Sequence, residues 1–220
     1  MSLEKINTQT GDDPKIVIIW MHGLGADGHD FESVVPQFEI SDFPIKFVFP
    51  HAPKIPVTIN AGMVMRAWYD IKVMDIGKHA DKQGVIESEK LVHELIDEQI
   101  ALGFKHDQIV LAGFSQGGAM SLQVSTRLNK KIGGIIALSS YLPIPEQLLT
   151  EINTTNLKTP IFMAHGTQDP VVPFALGQTS RDALIKAGYV IDWHQYPIEH
   201  GVSVDEIMDI RQWIIKNLKT

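Results

Sequence analysis

Short apolar runs alternate along the chain with stretches in which apolar residues recur at helical spacing. Six runs are predicted to be strands, at residues 15–20, 45–49, 109–112, 133–138, 160–164 and 190–196. Because each run is apolar on both of its faces, it is typical of a parallel sheet that is covered by helices on both sides. The pattern therefore predicts an α/β fold, a three-layer α/β/α sandwich around a mostly parallel sheet.

Helices are predicted between and after these strands. Apolar residues spaced near 3.6 over 85–102, and again over 176–187, indicate two helices that each pack one face inward. A third is marked by a capping box of Ser203 and Glu206 ahead of an apolar stripe. The segment 50–84 is irregular, and a long irregular segment within a compact domain tends to carry function.

A sequence motif at 113–117, Gly-Phe-Ser-Gln-Gly, matches the pattern G-x-S-x-G directly after a predicted strand. On such a strand–turn–helix the serine hydroxyl projects from a strained turn, and the flanking glycines avoid side-chain clashes. The composition of the chain produces the pattern by chance too often for the motif alone to decide. Its placement between a strand and a helix-compatible stretch favours Ser115 as a nucleophile.

A serine nucleophile needs a base, and the base needs an orienting carboxylate. In α/β-hydrolases these follow the serine in the order acid then histidine, each on a loop after a late strand. Asp169 follows the strand predicted at 160–164, and His200 follows the last predicted strand. The order predicts a catalytic triad of Ser115, Asp169 and His200. Asp70 is the rival acid, but it precedes the nucleophile.

The segment 22–25, His-Gly-Leu-Gly, follows the first predicted strand. Glycines there leave backbone N–H groups free to face the oxyanion that acyl transfer creates. The predicted donors are the amides of Leu24 and of Gln116, the residue after the nucleophile. The alternative is a plain glycine-rich turn, which would be favoured if the serine motif were absent.

Longer segments resemble the phospholipase/carboxylesterase family, which includes acyl-protein thioesterases and lysophospholipases. They are HGLGADGHDF at 22–31, FPHAP at 49–53, PVTINAGMVMRAWYDI at 56–71, GFSQGGAM at 113–120, HGTQDPVVP at 165–173 and YPIEHGV at 196–202. They look closer to bacterial carboxylesterases than to animal thioesterases. The resemblance implies an α/β-hydrolase fold with no large lid domain and no cofactor. It also carries the triad onto Ser115, Asp169 and His200, and the oxyanion donors onto Leu24 and Gln116.

The sequence specifies the substrate less well than it specifies the catalytic residues. Val57, Met63, Met65 and Trp68 belong to an apolar tract of the irregular segment and are predicted to contact an acyl chain, since methionines adapt to variable shapes. The alternative is that these side chains only pack the segment onto the sheet. Esters of small alcohols, lysophospholipids and acylated protein cysteines all stay open as substrates. Transient contact with a membrane surface and a homodimer also stay open.

Length, charge and cysteine content exclude several kinds of partner and site. A length of 220 residues fits one α/β-hydrolase domain over 1–220, and a net charge of -7 argues against a nucleic-acid partner. The chain has no cysteine, which excludes disulfides, thiolate metal sites and cysteine nucleophiles, and no metal site is predicted. Residues 1–14 lack the apolar core of a signal peptide, and no apolar run is long enough to span a bilayer. We therefore expect a soluble, cytoplasmic enzyme.

Two other functions compete with ester or thioester hydrolysis. A non-catalytic ligand-binding module on a hydrolase scaffold would be expected to lack a triad member or a glycine of the oxyanion turn, and here all are present. A hydrolase of peptide or amide bonds would keep the fold, but the family resemblance disfavours it. The sequence thus predicts a serine carboxylesterase or thioesterase.

Overall fold

The computed structural model describes residues 3–73 and 81–219. Within them the strands are β1 (Lys5–Gln9), β2 (Ile16–Met21), β3 (Ile45–Pro50), β4 (Lys54–Val57), β5 (Met63–Arg66), β6 (Ile109–Phe114), β7 (Gly134–Leu138), β8 (Ile161–Gly166) and β9 (Ile191–Tyr196). Seven of these form one sheet in the order β1-β3-β2-β6-β7-β8-β9, and β4 pairs with β5. Only β1 is antiparallel within the large sheet, so the predicted mostly parallel sheet is confirmed.

Helices cover both faces of this sheet. They are α1 (Lys82–Ala101), α2 (Gln116–Arg127), α3 (Leu148–Glu151), α4 (Phe174–Lys186) and α5 (Val204–Leu218). One apolar cluster joins α1, α2 and α4 to the first face. A second cluster joins α5 and the short helix Glu32–Phe38 to the opposite face. The three-layer sandwich predicted from the apolar pattern is therefore confirmed.

Strand β2 shows why the central strands are apolar throughout. Successive side chains of a strand point to opposite faces. Three of its residues, Val17, Ile19 and Met21, belong to the first cluster. The other three, Ile16, Ile18 and Trp20, belong to the second. Since each fully buried side chain of this size contributes about 1.5–3 kcal/mol, a polar residue on either face would be costly.

The irregular segment and the N-terminus hold structure that the pattern did not predict. Strand β1 (KINTQ) is polar and half-exposed, because it pairs only at the edge of the sheet with β3. Within 50–84, strands β4 and β5 form an antiparallel hairpin in which Ile55 faces Met65 across the strands. Residues 74–80 of that segment lie outside the described residues.

The predicted capping box is only half formed. Ser203 Oγ accepts a hydrogen bond of 3.1 Å from the Glu206 N–H, as an N-cap should. The Glu206 carboxyl group does not reach back to the start of α5. It is buried, and neither of its oxygens has a hydrogen-bond partner among the described residues. Burial raises the pKa of Glu206 to about 8.

The parallel strands place their carboxyl ends along one edge of the sheet. Chain segments that follow β2, β6, β8 and β9 therefore lie near one another, which is where α/β proteins build their sites. In the described part of the chain, no helix combines the length and the apolar character needed to cross a membrane.

Candidate active site

Ser115 lies on a strained turn between β6 and α2. Its φ and ψ are 56° and -118°, a region that side-chain-bearing residues rarely occupy and that costs on the order of 1–3 kcal/mol. The turn is held on both sides, because the Ser115 N–H donates to the Leu138 carbonyl at 2.8 Å and the Ala119 N–H donates to the Ser115 carbonyl at 3.0 Å. The sharp turn directs the hydroxyl out of the sheet.

Two glycines allow this turn to form. A Cβ atom on Gly113 would overlap the backbone of Gly117. A Cβ atom on Gly117 would overlap the carbonyl group of Met21, at the end of β2. The first and last residues of the motif must therefore be glycines, because the start of α2 packs directly against the end of β6 and the end of β2.

Ser115, His200 and Asp169 form one hydrogen-bonded chain. His200 Nε2 lies 3.0 Å from Ser115 Oγ, and His200 Nδ1 lies 2.7 Å from Asp169 Oδ2. Since a carboxylate only accepts hydrogen bonds, Nδ1 carries the proton and Nε2 is free to accept the serine hydroxyl. The His200 ring also packs at 4.7 Å from the Phe114 ring, centroid to centroid, which fixes its plane. The structure thus brings together all three residues of the predicted triad.

The carboxylate of Asp169 is buried and fully engaged. Its Oδ1 accepts hydrogen bonds of 2.8 Å from both the Val171 and Val172 N–H groups. Burial alone would raise the pKa of Asp169, but hydrogen bonds from His165, His200 and the Val172 amide hold it well below its usual range. The group is therefore ionised at neutral pH, as a partner that orients and stabilises an imidazolium must be.

The other acid and histidine near these loops have separate roles. His165 Nε2 lies 2.9 Å from the Val172 carbonyl oxygen and 3.4 Å from Asp169 Oδ2, so this buried ring shapes the turn that carries the acid. Asp70, the rival acid, accepts hydrogen bonds from the Thr58 N–H at 2.7 Å and from Thr58 Oγ1 at 2.6 Å. Asp70 thus ties the segment that follows the β4–β5 hairpin to Thr58 in the turn of that hairpin.

The predicted oxyanion donors lie beside the nucleophile. Leu24 and Gln116 line the same cavity as Ser115. Neither the Leu24 N–H nor the Gln116 N–H has a backbone acceptor within residues 3–73 and 81–219. Two amides without a backbone acceptor, at a cavity that Ser115 also lines, are suited to bind a developing negative charge.

Trp68 holds the two segments that carry these amides. Its indole N–H donates to the His22 carbonyl at 3.0 Å, and its backbone N–H donates to Gln116 Oε1 at 2.7 Å. Gln116 Nε2 then donates to the Tyr69 carbonyl at 2.7 Å. The turn after β2 and the start of α2 are therefore fixed relative to each other through one buried tryptophan.

A cavity of 260 Å³ opens beside Ser115. Its walls are mainly apolar and come from five parts of the chain, with Leu24, Ile59, Asn60, Ile71, Ser115, Gln116, Tyr141, Pro170, Val171 and Val172 as the lining residues. Tyr141 is buried, and its hydroxyl is 2.8 Å from the Tyr69 hydroxyl, so its polar atom already has a hydrogen-bond partner. Such a space accepts a hydrocarbon chain better than a polar group.

The four residues predicted to contact substrate do not line this cavity. Val57 and Trp68 are buried, with Trp68 only 2% exposed, because their side chains face the interior. Met63 lies near the turn of the hairpin and is 63% exposed. Met65 comes nearest, since its sulfur accepts a hydrogen bond of 3.2 Å from Asn60, a lining residue.

Of the lining residues, the sequence pointed to Leu24, Ser115 and Gln116 but not to the apolar walls. Ile59 and Ile71 belong to the same irregular segment, and Val171 and Val172 follow the acid directly. Position next to Asp169 could have pointed to the two valines. For Tyr141, three residues beyond β7, no local pattern gave a signal.

Among residues 3–73 and 81–219 no group of three or more histidine, aspartate or glutamate side chains could hold a metal ion. The side chains around Ser115 are instead arranged for proton transfer to and from an oxygen nucleophile.

Several known proteins are similar to this chain in sequence and in fold. A family model described as Phospholipase/Carboxylesterase matches residues 4–218. Acyl-protein thioesterase 1 of Yarrowia lipolytica is 40% identical over 208 residues, which cover 92% of each chain. Carboxylesterase SOBER1 of Arabidopsis thaliana is 36% identical over 206 residues, covering 92% of this chain and 90% of the relative. The crystal structure of SOBER1 matches with a TM-score of 0.87 at 35% identity, covering 92% of this chain and 99% of that one.

Proposed function

We propose that this chain, which belongs to the phospholipase/carboxylesterase family, is a serine hydrolase that cleaves ester or thioester bonds of acyl substrates with Ser115, His200 and Asp169. The observation that carries the proposal is the continuous hydrogen-bonded chain from Asp169 through His200 to Ser115 at the mouth of an apolar cavity. Hydrolases with this arrangement work without a cofactor.

The first half of the reaction transfers the acyl group to the enzyme. His200 Nε2 removes the proton of the Ser115 hydroxyl as the oxygen attacks the acyl carbonyl carbon. Asp169 stabilises the imidazolium that forms. The carbonyl oxygen becomes an oxyanion and takes hydrogen bonds from the Leu24 and Gln116 amides, each of which is worth about 3 kcal/mol. The imidazolium then protonates the leaving alcohol or thiol, and the C–O or C–S bond breaks.

The second half releases the acid. A water molecule takes the place of the leaving group, and His200 removes one of its protons as its oxygen attacks the acyl-enzyme carbonyl. The same two amides stabilise the second oxyanion. When this intermediate collapses, the bond to Ser115 Oγ breaks, and the proton held by His200 returns to that oxygen. The enzyme is regenerated and one carboxylic acid leaves.

The acyl chain of the substrate is proposed to occupy the cavity beside Ser115. Its walls include Leu24, Ile59, Ile71 and Val172, which offer hydrocarbon contacts and few polar ones. Burying an acyl chain there contributes about 0.8 kcal/mol for each methylene group. This assignment replaces the predicted contacts of Val57, Met63 and Trp68, and it keeps Met65 only as a neighbour of the lining residue Asn60.

Ester and thioester substrates differ in the alcohol or thiol that leaves. Lysophospholipids and acylated proteins both fit the proposal. Either substrate would be presented at a membrane surface. Met63 and Val64, each 63% exposed near the turn of the β4–β5 hairpin, support a transient contact of that kind. A homodimer and a cytoplasmic location stay predictions from the sequence. The non-catalytic binding module gains no support, because the relatives are named as thioesterases and carboxylesterases.

Labelling with a fluorophosphonate probe tests the proposed nucleophile. An activated serine oxygen displaces fluoride from phosphorus, so the wild type should be labelled and peptide mapping should place the label on Ser115. The variant Ser115→Ala should not be labelled. Ser139→Ala is a matched control, since Ser139 is also buried at a strand end with a positive φ of 43°, and it should label like the wild type. Labelling of Ser115→Ala at the wild-type rate would contradict the proposal.

A further inference from the structure

His22, the buried residue immediately before the oxyanion turn, uses both of its ring nitrogens. Its Nδ1 lies 2.7 Å from the carbonyl oxygen of Gly23. Its Nε2 accepts a hydrogen bond of 3.0 Å from the Ala52 N–H. The side chain is only 1% exposed, so water does not replace either contact. The ring thus connects the turn after β2 to the chain that follows β3.

These partners fix the tautomer of the ring. The Ala52 amide can only donate, so Nε2 must be the nitrogen without a proton. The proton is therefore on Nδ1, which donates to the Gly23 carbonyl. Burial lowers the pKa of His22 to about 4, which keeps the ring neutral at physiological pH.

The bond to Gly23 has a consequence for the next amide. The carbonyl of Gly23 and the N–H of Leu24 belong to one planar trans peptide group, in which they point in opposite directions. While the carbonyl is turned toward the His22 ring, the Leu24 N–H is turned away from it. The Ala26 N–H also donates to this carbonyl, but over a longer distance of 3.3 Å.

The backbone of His22 is anchored as well. Its carbonyl accepts the hydrogen bond of 3.0 Å from the Trp68 indole, and the two rings lie 5.7 Å apart, centroid to centroid. The peptide groups on either side of Gly23 are therefore each held by a buried side chain. Such support is what a donor needs if it is to stabilise charge without rearranging during the reaction.

We propose that His22 is a positioning residue, which orients the Leu24 N–H toward the oxyanion by donating from Nδ1 to the Gly23 carbonyl. This role rests on the proposed function, because it requires that Leu24 be an oxyanion donor. In this role the Nδ1 contact with the Gly23 carbonyl governs kcat, whereas the Nε2 contact with Ala52 governs only folding stability.

Two variants separate the two contacts. In His22→Asn the shorter side chain can place an amide donor near the position of Nδ1, toward Gly23. In His22→Gln the longer side chain can place an amide oxygen near the position of Nε2, toward Ala52, but leaves Gly23 without its donor. His51→Gln is the control, because His51 Nδ1 also accepts a backbone N–H, from Gly28 at 3.1 Å, without contacting the Gly23 carbonyl.

The readouts are kcat and KM for a p-nitrophenyl ester, the inhibition constant of an alkyl boronic acid, and Tm. A boronic acid adds to the serine oxygen as a tetrahedral anion, so it reports on the oxyanion site directly. Removing an oxyanion donor costs about 10²–10³ in kcat, and a misdirected donor should cost part of that. We expect His22→Gln to lose about 10- to 100-fold in kcat and in boronate affinity with little change in KM.

His22→Asn should keep kcat and boronate affinity within about threefold of the wild type even if its Tm falls, and His51→Gln should match the wild type in both. Equal losses in the Asn and Gln variants, or wild-type kcat in His22→Gln, would overturn the positioning role while leaving ester hydrolysis by the wild type intact. A wild type without hydrolytic activity would instead overturn the proposed function, and this role with it.

Discussion

Ile71→Ala is expected to change the acyl-chain preference of the enzyme while leaving its chemistry unaffected. Ile71 lines the cavity beside Ser115 and is only half-buried. Its backbone carbonyl accepts a hydrogen bond of 2.9 Å from the Ile59 N–H, and its side chain packs at the margin of the first apolar cluster. Truncating the side chain therefore removes apolar wall from the cavity without removing that bond.

The size of the cavity sets the expected profile. A volume of 260 Å³ takes roughly nine carbon-sized groups, if each needs about the 30 Å³ that a water molecule takes in the liquid. Each buried methylene contributes about 0.8 kcal/mol, or about a fourfold increase in kcat/KM. The increase should continue to acyl chains of about eight to ten carbons and then stop. From acetyl to octanoyl, a difference of six methylenes, the gain can reach about 4 × 10³-fold.

The assay is kcat/KM for p-nitrophenyl esters and acyl thioesters of graded length. Ile71→Ala should lower kcat/KM for the octanoyl ester about tenfold and for the acetyl ester less than about twofold, because an acetyl group does not reach the wall. Ile185→Ala is the control, since Ile185 is an exposed apolar residue of α4 outside the cavity. A wild-type profile that is highest for acetyl, or an equal loss at both lengths in Ile71→Ala, would refute the assignment of the cavity to the acyl chain.

Three further substitutions have distinct expected outcomes. Asp169→Asn should lower kcat about 10⁴-fold with little change in KM, because His200 would lose the partner that fixes its tautomer, and a loss below tenfold would contradict this. Trp68→Ala should slow acetyl and octanoyl esters by the same factor, because the indole N–H holds the His22 carbonyl beside the oxyanion turn and the ring does not line the cavity; a selective effect on octanoyl would contradict it. Glu206→Gln should stabilise the protein more at pH 8 than at pH 5. The pKa of Glu206 is about 8 in the folded state and 4.5 in its ordinary range, so between these pH values the folded protein holds a proton that the unfolded chain has lost. Wild-type stability therefore falls as pH rises through this range, by at most about 1.4 kcal/mol per pH unit. Equal shifts in Tm at the two pH values would show that the carboxyl group is not perturbed.

The sheet could be predicted because its central strands are buried on both faces. The six predicted runs became β2, β3, β6, β7, β8 and β9, with bounds that differ by at most two residues. Strand β1 could not be predicted in this way, since it lies at an edge and none of its five residues is buried. Edge strands lack the two-sided burial that makes a strand visible in an apolar pattern. Strand β9 at the opposite edge is also mostly half-exposed, but its run was predicted because it contains more apolar and aromatic residues than the polar β1.

The arrangement of the site was predictable where chain order constrains it. Ser115, Asp169 and His200 each follow a parallel strand, and the carboxyl ends of these strands share one edge of the sheet. The cavity walls were not predictable, because they depend on side-chain direction in the segment around the β4–β5 hairpin. Trp68 illustrates this, since an apolar residue beside the site turned out to face inward and to hold backbone groups in place.

The capping box shows the same limit at one residue. Ser203 caps α5 as its position predicts, but the carboxyl group of Glu206 packs inward and does not return to the N-cap. A short motif specifies the backbone hydrogen bond, whereas the direction of a longer side chain depends on the tertiary packing around it.

Turnover of Ser115→Ala, His200→Ala and the double variant tests the central claim most directly. If Ser115 and His200 act as one unit, each single substitution should lower kcat by about 10⁴-fold or more, and combining them should add little. Tm values close to that of the wild type would show that the variants are folded. Near wild-type turnover in Ser115→Ala, or losses that multiply in the double variant, would contradict the proposed mechanism.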